Sequence, residues 1–339
     1  MNTEISILVP VYNVEKYVGK CLKSIFESKF IEISEIIIVN DCSTDNSLDK
    51  IYKVLENYSQ YKNSVKIINN SKNLGIGKVR QILMNNSSGR YIVFVDSDDW
   101  IESDYLSSLY QKAIESNADI VCCDFTYRSE FDKIKPNISC QNIQKDGNQC
   151  LIDLYNDKIG AYLWIKFFKK DFLTIHNIQF SPDVNLWEDM LFSTKCFVNN
   201  PKIEYIQKPL YNYLQRENSY LNTGICTLKK ADSFFFAIKN IEDYLKTNKC
   251  DFALDSFYRC CAGLKSDCIF SGEKSVQKKY LNVYPVFNKY LDNNNRIKFK
   301  RRIILKISSK HSKLAYFLIV VFSLLKVVFR KLDFKEYWK

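Results

Sequence analysis

Tyr91-Ile92-Val93-Phe94-Val95-Asp96-Ser97-Asp98-Asp99 is an apolar run of five residues that ends abruptly in three carboxylates. Five residues is the length of a strand rather than a helix, and β-branched and aromatic side chains suit a strand covered on both faces. Three similar runs precede it. Residues 5–10 are followed by Val18, Leu22 and Ile25 at helical spacing, Glu35-Ile36-Ile37-Ile38-Val39 by a helical pattern over 47–55, and Val65-Lys66-Ile67-Ile68 by another over 77–84. Strand and helix in alternation predict an α/β fold with a doubly wound, mostly parallel sheet. Residues 118–125 and 164–169 extend that region, and 126–147 is expected to be a loop. Beyond about Leu228 only helical patterns remain, over 234–245, 252–270 and 280–290. The expected organisation is a catalytic domain over 1–222, a C-terminal helical appendage over 223–295 and a basic, apolar tail over 296–339.

The chain has 339 residues, of which 46% are apolar and 26% charged, an ordinary globular composition. Its net charge of +11 resides entirely in 296–339, which holds 13 Lys and Arg against 2 acids. The body is neutral, so nucleic acid is not an expected partner. In the tail, residues 303–305 and 314–329 are too apolar for an arm that tracks phosphates. The 12-residue run 314–325, ended by Lys326, falls short of the roughly 20 residues a bilayer span needs. Basic flanks around such a run match an interfacial helix on an anionic membrane surface. A core helix or a homodimer contact is the alternative.

The 12 cysteines are scattered without a Cys-x-x-Cys pair, and the N-terminus has an acid where a signal peptide needs bases. Both features predict a cytoplasmic protein, here one peripheral at the inner face of the cell membrane. His176 and His311 are the only histidines and neither has a second ligand nearby in sequence, so zinc is not expected; only its place in space would bring His176 to a metal. There is no Walker P-loop and no Gly-x-Ser-x-Gly elbow.

In a doubly wound sheet, ligands bind beyond the carboxyl ends of the strands. Asp96, Asp98 and Asp99 at such an end require a cation or a function, and hard carboxylate oxygens suit Mn²⁺ or Mg²⁺ gripping a diphosphate. The alternative is a solvated turn capping a helix that starts near Glu102. A second acidic loop, Asp41-Cys42-Ser43-Thr44-Asp45, ends another apolar strand and should face the same crevice. Thr44 or Asp45 is in place to cap the next helix, whereas Asp41 is too early for that and is free to accept hydrogen bonds from a nucleotide base.

Taken in order, the motifs closely resemble those of the family-2 glycosyltransferases with the glycosyltransferase A fold, over roughly residues 4–219. They are Ile7-Leu8-Val9-Pro10-Val11-Tyr12-Asn13, Asn40-Asp41-Cys42-Ser43-Thr44-Asp45, Asn73-Leu74-Gly75 with Arg80, Asp96-Ser97-Asp98-Asp99, and Trp187-Glu188-Asp189. The resemblance implies a nucleotide-sugar donor, with UDP as its carrier. It implies that Pro10, Tyr12 and Asp41 bind the nucleotide, with Val11, Asn13, Ser43, Asn73, Gly75, Arg80 and Ser97 on the donor side. Asp96 would contact ribose or metal and Asp98 would ligate the metal. Residues 75–81 depart from the family's usual small residue and Ala-Arg-Asn, which loosens the assignment of Arg80.

Inverting transfer needs a base remote from the leaving diphosphate. By resemblance Asp189 is that base, Glu188 orients it and Trp187 stacks on an acceptor sugar. Acids also favour any helix N-terminus, which is the structural alternative. Lys166, after Trp164, and Arg216, in the Tyr-rich segment Tyr211-Asn212-Tyr213-Leu214-Gln215-Arg216-Glu217-Asn218-Ser219, are the cations for the diphosphate, Arg216 being the stronger candidate. The acceptor would be a saccharide or a lipid-linked precursor of a surface polysaccharide such as a capsule. A nucleotidyltransferase would need a Gly-rich basic loop after the first strand, which Pro10-Val11-Tyr12-Asn13 is not. A non-catalytic glycan-binding protein with the same fold would have lost acids that are all present.

Overall fold

The computed structural model describes residues 3–129, 135–138, 146–216, 225–292, 294–308 and 310–331. The chain divides into two compact units, Met1–Asn222 and Thr223–Lys339. The junction at 217–224 lies outside the described residues.

In the first unit the apolar runs form β1 (Ile5–Val11), β2 (Ser34–Asn40), β3 (Val65–Asn69) and β4 (Tyr91–Phe94), alternating with α1 (Val18–Phe26), α2 (Ser47–Asn57) and α3 (Ile76–Asn85). They pair in the order β3-β2-β1-β4, all parallel, so their carboxyl ends share one edge. β1 is buried along its whole length and β4 likewise, as strands between two helical layers must be. On one face Ile5, Ile7, Val9 and Val93 join Val18, Leu22 and Ile25 of α1. On the other, Phe94 meets the edges of Phe180 and Phe192, with ring centroids at 5.6 and 6.4 Å.

Beyond β4 the α/β sheet becomes mixed. The chain adds β5 (Trp100–Ile101), α4 (Tyr105–Ser116), β6 (Ile120–Ser129), β7 (Lys135–Ile138), α5 (Gly147–Tyr155), β8 (Lys166–Lys169), α6 (Lys170–Ile175), α7 (Glu188–Val198) and β9 (Ile203–Gln215). β8 lies antiparallel between β4 and β6, while β9 runs parallel to β6 and carries β5 on its far side. Two local expectations change. The helix foreseen near Glu102 begins at Tyr105, because β5 pairs with β9 first. Residues 126–147 are not simply a loop, since β6 runs on to Ser129 and β7 pairs with it; 130–134 and 139–145 lie outside the described residues.

The second unit is helical: α8 (Leu228–Thr247), α9 (Leu254–Ser271), α10 (Lys274–Tyr280), α11 (Phe299–Ser308) and α12 (Ser312–Lys331). The helical pattern over 280–290 is broken. Tyr284 is left-handed with φ 53°, and Pro285, which has no N–H to donate, starts a separate 3-10 turn over Pro285–Tyr290. The start of the basic segment packs within this unit. Ile297, Ile304 and Leu305 are buried, and Arg301 pairs with Asp267 of α9 at 2.7 Å.

One glycine governs how the strand-end loops pack. A Cβ on Gly77, at the start of α3, would lie 2.4 Å from Val184 O and 2.9 Å from Ser181 O, both backbone atoms. Gly77→Ala is therefore expected to lower stability by about 1–3 kcal/mol, read as a shifted urea midpoint, and an unchanged midpoint would contradict the close packing.

Candidate active site

The loops leaving β1 and β2 are laced together. Asn13 accepts from Thr44 N (2.8 Å) and Ser43 Oγ accepts from Asn13 N (3.1 Å); Asp45 accepts from Glu15 N (2.9 Å) and from Ser47 N (3.0 Å) at the start of α2. Asn13 and Ser43 thus spend polar groups on each other and shape the loop. Pro10 and Val11 are buried in β1, so Tyr12, 49% exposed, and Asn13 are the parts of that motif at the surface.

Asp41 is buried, and its carboxylate accepts from Leu74 N (2.8 Å), Gly75 N (3.0 Å) and Asn70 Nδ2 (2.8 Å). It clamps the loop after β3 against the end of β2. Asn73 adds a longer bond to Asp41 O at 3.5 Å. Gly75 has φ 85°, and a Cβ there would meet Asn185 Oδ1 at 2.3 Å, so this turn admits only glycine. Asn185 also accepts from Gly77 N (3.2 Å), a contact that nothing in the local sequence announces.

At the end of β4 the three acids have different tasks. Asp99 is buried and accepts from Tyr211 Oη (2.8 Å) and Leu214 N (2.7 Å) of β9. Burial, with Asp98 and Asp96 beside it, pushes its carboxyl well above the usual range. Asp98 pairs with Arg216 at 2.6 Å. Burial raises its pKa although Arg216 opposes the shift. Asp96 meets Arg80 Nη2 at 3.3 Å, and its backbone N–H donates to Tyr211 Oη (3.1 Å). Ser97 is buried between them.

Arg80 lies inside the site. Its side chain is 7% exposed, and its Nε stands 3.5 Å from Glu188 while Nη2 holds Asp96. Burial alone would lower its pKa, but Asp96, Glu188 and Asp189 more than reverse this and raise it. The guanidinium is therefore a counter-ion joining the β4 acids to those of α7. Expected on the donor side, it is held between Asp96 and Glu188.

Trp187 is left-handed (φ 61°) immediately before α7, which turns Glu188 and Asp189 into that helix's first turn, where the macrodipole favours acids. Asp189 accepts from Met190 N at 2.7 Å. Burial raises the pKa of Glu188 to about 7, against the pull of Arg80 and with help from Asp189. Asp189 is raised as well, by burial first, with Arg80 and Lys166 opposing.

Lys166 differs from expectation. It is fully buried and donates to Gly160 O and Tyr162 O, each at 2.7 Å, so it braces a turn instead of facing a diphosphate. His176 caps α6, whose Lys170 bonds to Arg90 O at the opposite end of β4, away from the acids.

The structure thus brings Asp96, Asp98, Arg80, Glu188, Asp189 and Arg216 to one edge and adds Tyr211, Asp99 and Asn185. Tyr211 was visible only as part of a Tyr-rich segment. Among the described residues no group of three or more His, Cys, Asp and Glu is arranged to hold a metal ion by itself. Asp96 and Asp98 offer two hard carboxylates, which fits Mn²⁺ or Mg²⁺ in the form that takes its remaining oxygens from substrate phosphates and water.

The model of glycosyl transferase family 2 matches residues 6–177. The chain belongs to that family. Members transfer sugars, and this chain is a glycosyltransferase. It is 28% identical over 334 residues to EpsH of Bacillus subtilis (strain 168), a match that covers 92% of this chain and 93% of EpsH. The glycosyltransferase GlyA of Streptococcus pneumoniae is 33% identical over 235 residues, which span only 32% of its length. In three dimensions the chain resembles residues 1–349 of S. aureus TarS in complex with UDP-GlcNAc, at TM-score 0.57 and 18% identity, covering 91% of this chain and 92% of that one. At 18% identity that likeness speaks for the fold alone.

Proposed function

We propose that this glycosyltransferase moves a sugar from a nucleoside diphosphate, UDP foremost, onto a hydroxyl of a saccharide or lipid-linked acceptor, with inversion, in the synthesis of a cell-surface polysaccharide. The carrying observation is the pair of acid sets joined by buried Arg80, Asp96 with Asp98 on one side and Glu188 with Asp189 on the other. One set suits the donor's diphosphate and the other the acceptor's proton. The binding of UDP-GlcNAc by TarS, named as a poly(ribitol-phosphate) β-N-acetylglucosaminyltransferase, supports a UDP-sugar donor.

Tyr12 and the Asp41 loop border the place for the base, and Arg216 is the cation that turns from Asp98 to the diphosphate. Asp98 and Asp96 would hold the Mn²⁺ or Mg²⁺. When bound, that ion neutralises charge growing on the leaving diphosphate. Asp189 removes the acceptor hydroxyl proton as its oxygen forms a bond to the anomeric carbon, and the carbon–oxygen bond to the diphosphate breaks on the opposite face. Glu188, held by Arg80, keeps Asp189 in orientation.

The base must be ionised, and its setting includes Arg80 of α3, Asp96 after β4, Lys166 of β8 and Glu188 beside it. Because burial holds both acids above the usual carboxylate range, kcat/KM is expected to fall on acidification at a higher pH than a free carboxyl would give, and to level off once the base is ionised. Asp189→Asn should lower kcat at least about a hundredfold with donor affinity intact, and NMR of the product should show the inverted anomer. Equal loss of donor affinity would make Asp189 a binding residue, and a retained configuration would exclude direct displacement. The metal assignment has its own readout. In the presence of UDP, Asp98→Ala should weaken Mn²⁺ binding, followed by electron paramagnetic resonance, at least about tenfold, and an unaltered affinity would remove Asp98 from the metal set.

The proposed place of work is the cytoplasmic membrane surface. Among the described residues no helix is long and apolar enough to cross a membrane. Phe299 (71% exposed) and Ile303 on α11, with Leu314 and Phe317 (61%) on α12, nevertheless present exposed apolar side chains amid the basic segment. That supports an interfacial contact with anionic lipid. The full chain should float with phosphatidylglycerol vesicles at low salt, and Phe299→Asp with Phe317→Asp should reduce flotation at least about fivefold. Flotation unaffected by both changes would move the contact elsewhere.

A further inference from the structure

The turn over residues 160–162, between α5 and β8, is held with unusual thoroughness for a surface segment. Its three successive carbonyls are all taken by side chains. Lys166 donates to Gly160 O and Tyr162 O, each at 2.7 Å, and Ser193 Oγ of α7 donates to Ala161 O at 3.0 Å. The lysine is wholly buried, a costly place for an ammonium that has to recover its hydration from a few bonds. Gly160 is fitted to the same end, since a Cβ there would lie 2.6 Å from Tyr162 Cδ2.

What the turn presents is the Tyr162 ring. It stacks on Trp164 at 4.9 Å and 16°, and Trp164 in turn stacks on Tyr211 at 4.5 Å and Tyr213 at 5.3 Å. With this packing behind it, Tyr162 still keeps 37% of its surface exposed. The Ser193 bond ties the turn to the helix whose first residues are Glu188 and Asp189. Asp189 and Ser193 are four residues apart in α7 and so lie on one face of that helix, the face to which the turn is bonded.

A rigid aromatic face beside a base is the surface on which the C–H face of a pyranose lies, while its hydroxyls turn to polar neighbours. The donor side, at Tyr12, Asp41, Asp96 and Asp98, is built on the parallel loops; the Tyr162 turn belongs to β8 and α7. We infer that Tyr162 is the stacking platform for a pyranose ring of the acceptor, setting the hydroxyl to be glycosylated at Asp189, with Lys166, Gly160 and Ser193 as the residues that position it. This rests on Asp189 being the base.

The test uses the full chain, a UDP-sugar that it hydrolyses, and octyl glycosides of glucose, galactose and N-acetylglucosamine, with octyl ribitol as an acyclic counterpart. Tyr162→Ala should raise the KM for the pyranoside that is used at least about tenfold, or about 1.4 kcal/mol. It should leave kcat within about threefold, donor hydrolysis intact and the KM for octyl ribitol unmoved. Tyr162→Phe should stay within about twofold of wild type. Gly160→Ala, which keeps the tyrosine but displaces its ring, should reproduce the rise in KM. An unchanged pyranoside KM, a matching rise in donor KM, failure of phenylalanine to substitute, or no transfer to any pyranoside would each overturn the proposal. Asp189→Asn in the same assay separates the two ideas. Persistent transfer by that variant sinks the base assignment, whereas the KM pattern at Tyr162 judges the platform.

Discussion

Asp99 takes one hydrogen bond from Tyr211 Oη and one from Leu214 N, and the rest of the crevice depends on those two bonds. β4 ends the parallel half of the sheet and β9 lies three strands away in the mixed half, with β8 and β6 between them. A sheet twists, so edges separated by that distance diverge unless something ties them. The buried carboxylate is the tie. Leaving Tyr211 Oη and Leu214 N without a partner would cost roughly 1–3 kcal/mol each, which is enough to hold a loop that Asp96 and Asp98 must share. The same tyrosine hydroxyl also accepts from Asp96 N, so one side chain fixes both ends of the acidic turn.

The second constraint is charge. Asp96, Glu188 and Asp189 crowd around one buried guanidinium, and Asp98 leans on Arg216. Desolvation of each ion costs several kcal/mol, and a single cation cannot offset three acids. The surplus shows in the raised pKa values of Glu188, Asp189 and Asp98. Such a cluster is stable enough to persist yet gains energy from added positive charge. That is the property on which the proposed role of the cluster rests.

How much of this was readable beforehand follows from the range of each interaction. β1, β2 and β4 were legible because a strand buried on both faces must be largely apolar, and the motif acids stood where those runs stopped. The break at Pro285 was also written locally, in a residue without an N–H, and the helical spacing of its neighbours hid it. The surroundings of Lys166 and Arg80 were not legible for a different reason. Lys166 was read as a cation for the diphosphate and Arg80 as a donor-side residue by resemblance, and only the folded chain reveals that Gly160 O and Tyr162 O occupy the lysine and that Asp96 and Glu188 flank the arginine. Asn185 left no local signal, because its partner Gly77 lies 108 residues earlier. Interactions closed over such distances are choices of tertiary packing, and no periodicity carries them.

The two halves of the sheet therefore meet different demands. On the parallel side the donor loops are held by backbone groups and short polar side chains, as in Asp41 on Leu74 N and Gly75 N or Asn13 on Thr44 N. Contacts of that kind set the backbone course, tolerate little change and suit a part that is always the same, a nucleoside diphosphate. The mixed side is lined by stacked rings, with Trp164 between Tyr162 and Tyr211. Rings bury large areas in defined stacked arrangements, so this side is held by packing rather than by backbone hydrogen bonds. The fold thus places polar, backbone-bonded loops on one side of the acid cluster and stacked aromatic rings on the other. The Asp99 tie lets those two sides vary separately without drifting apart.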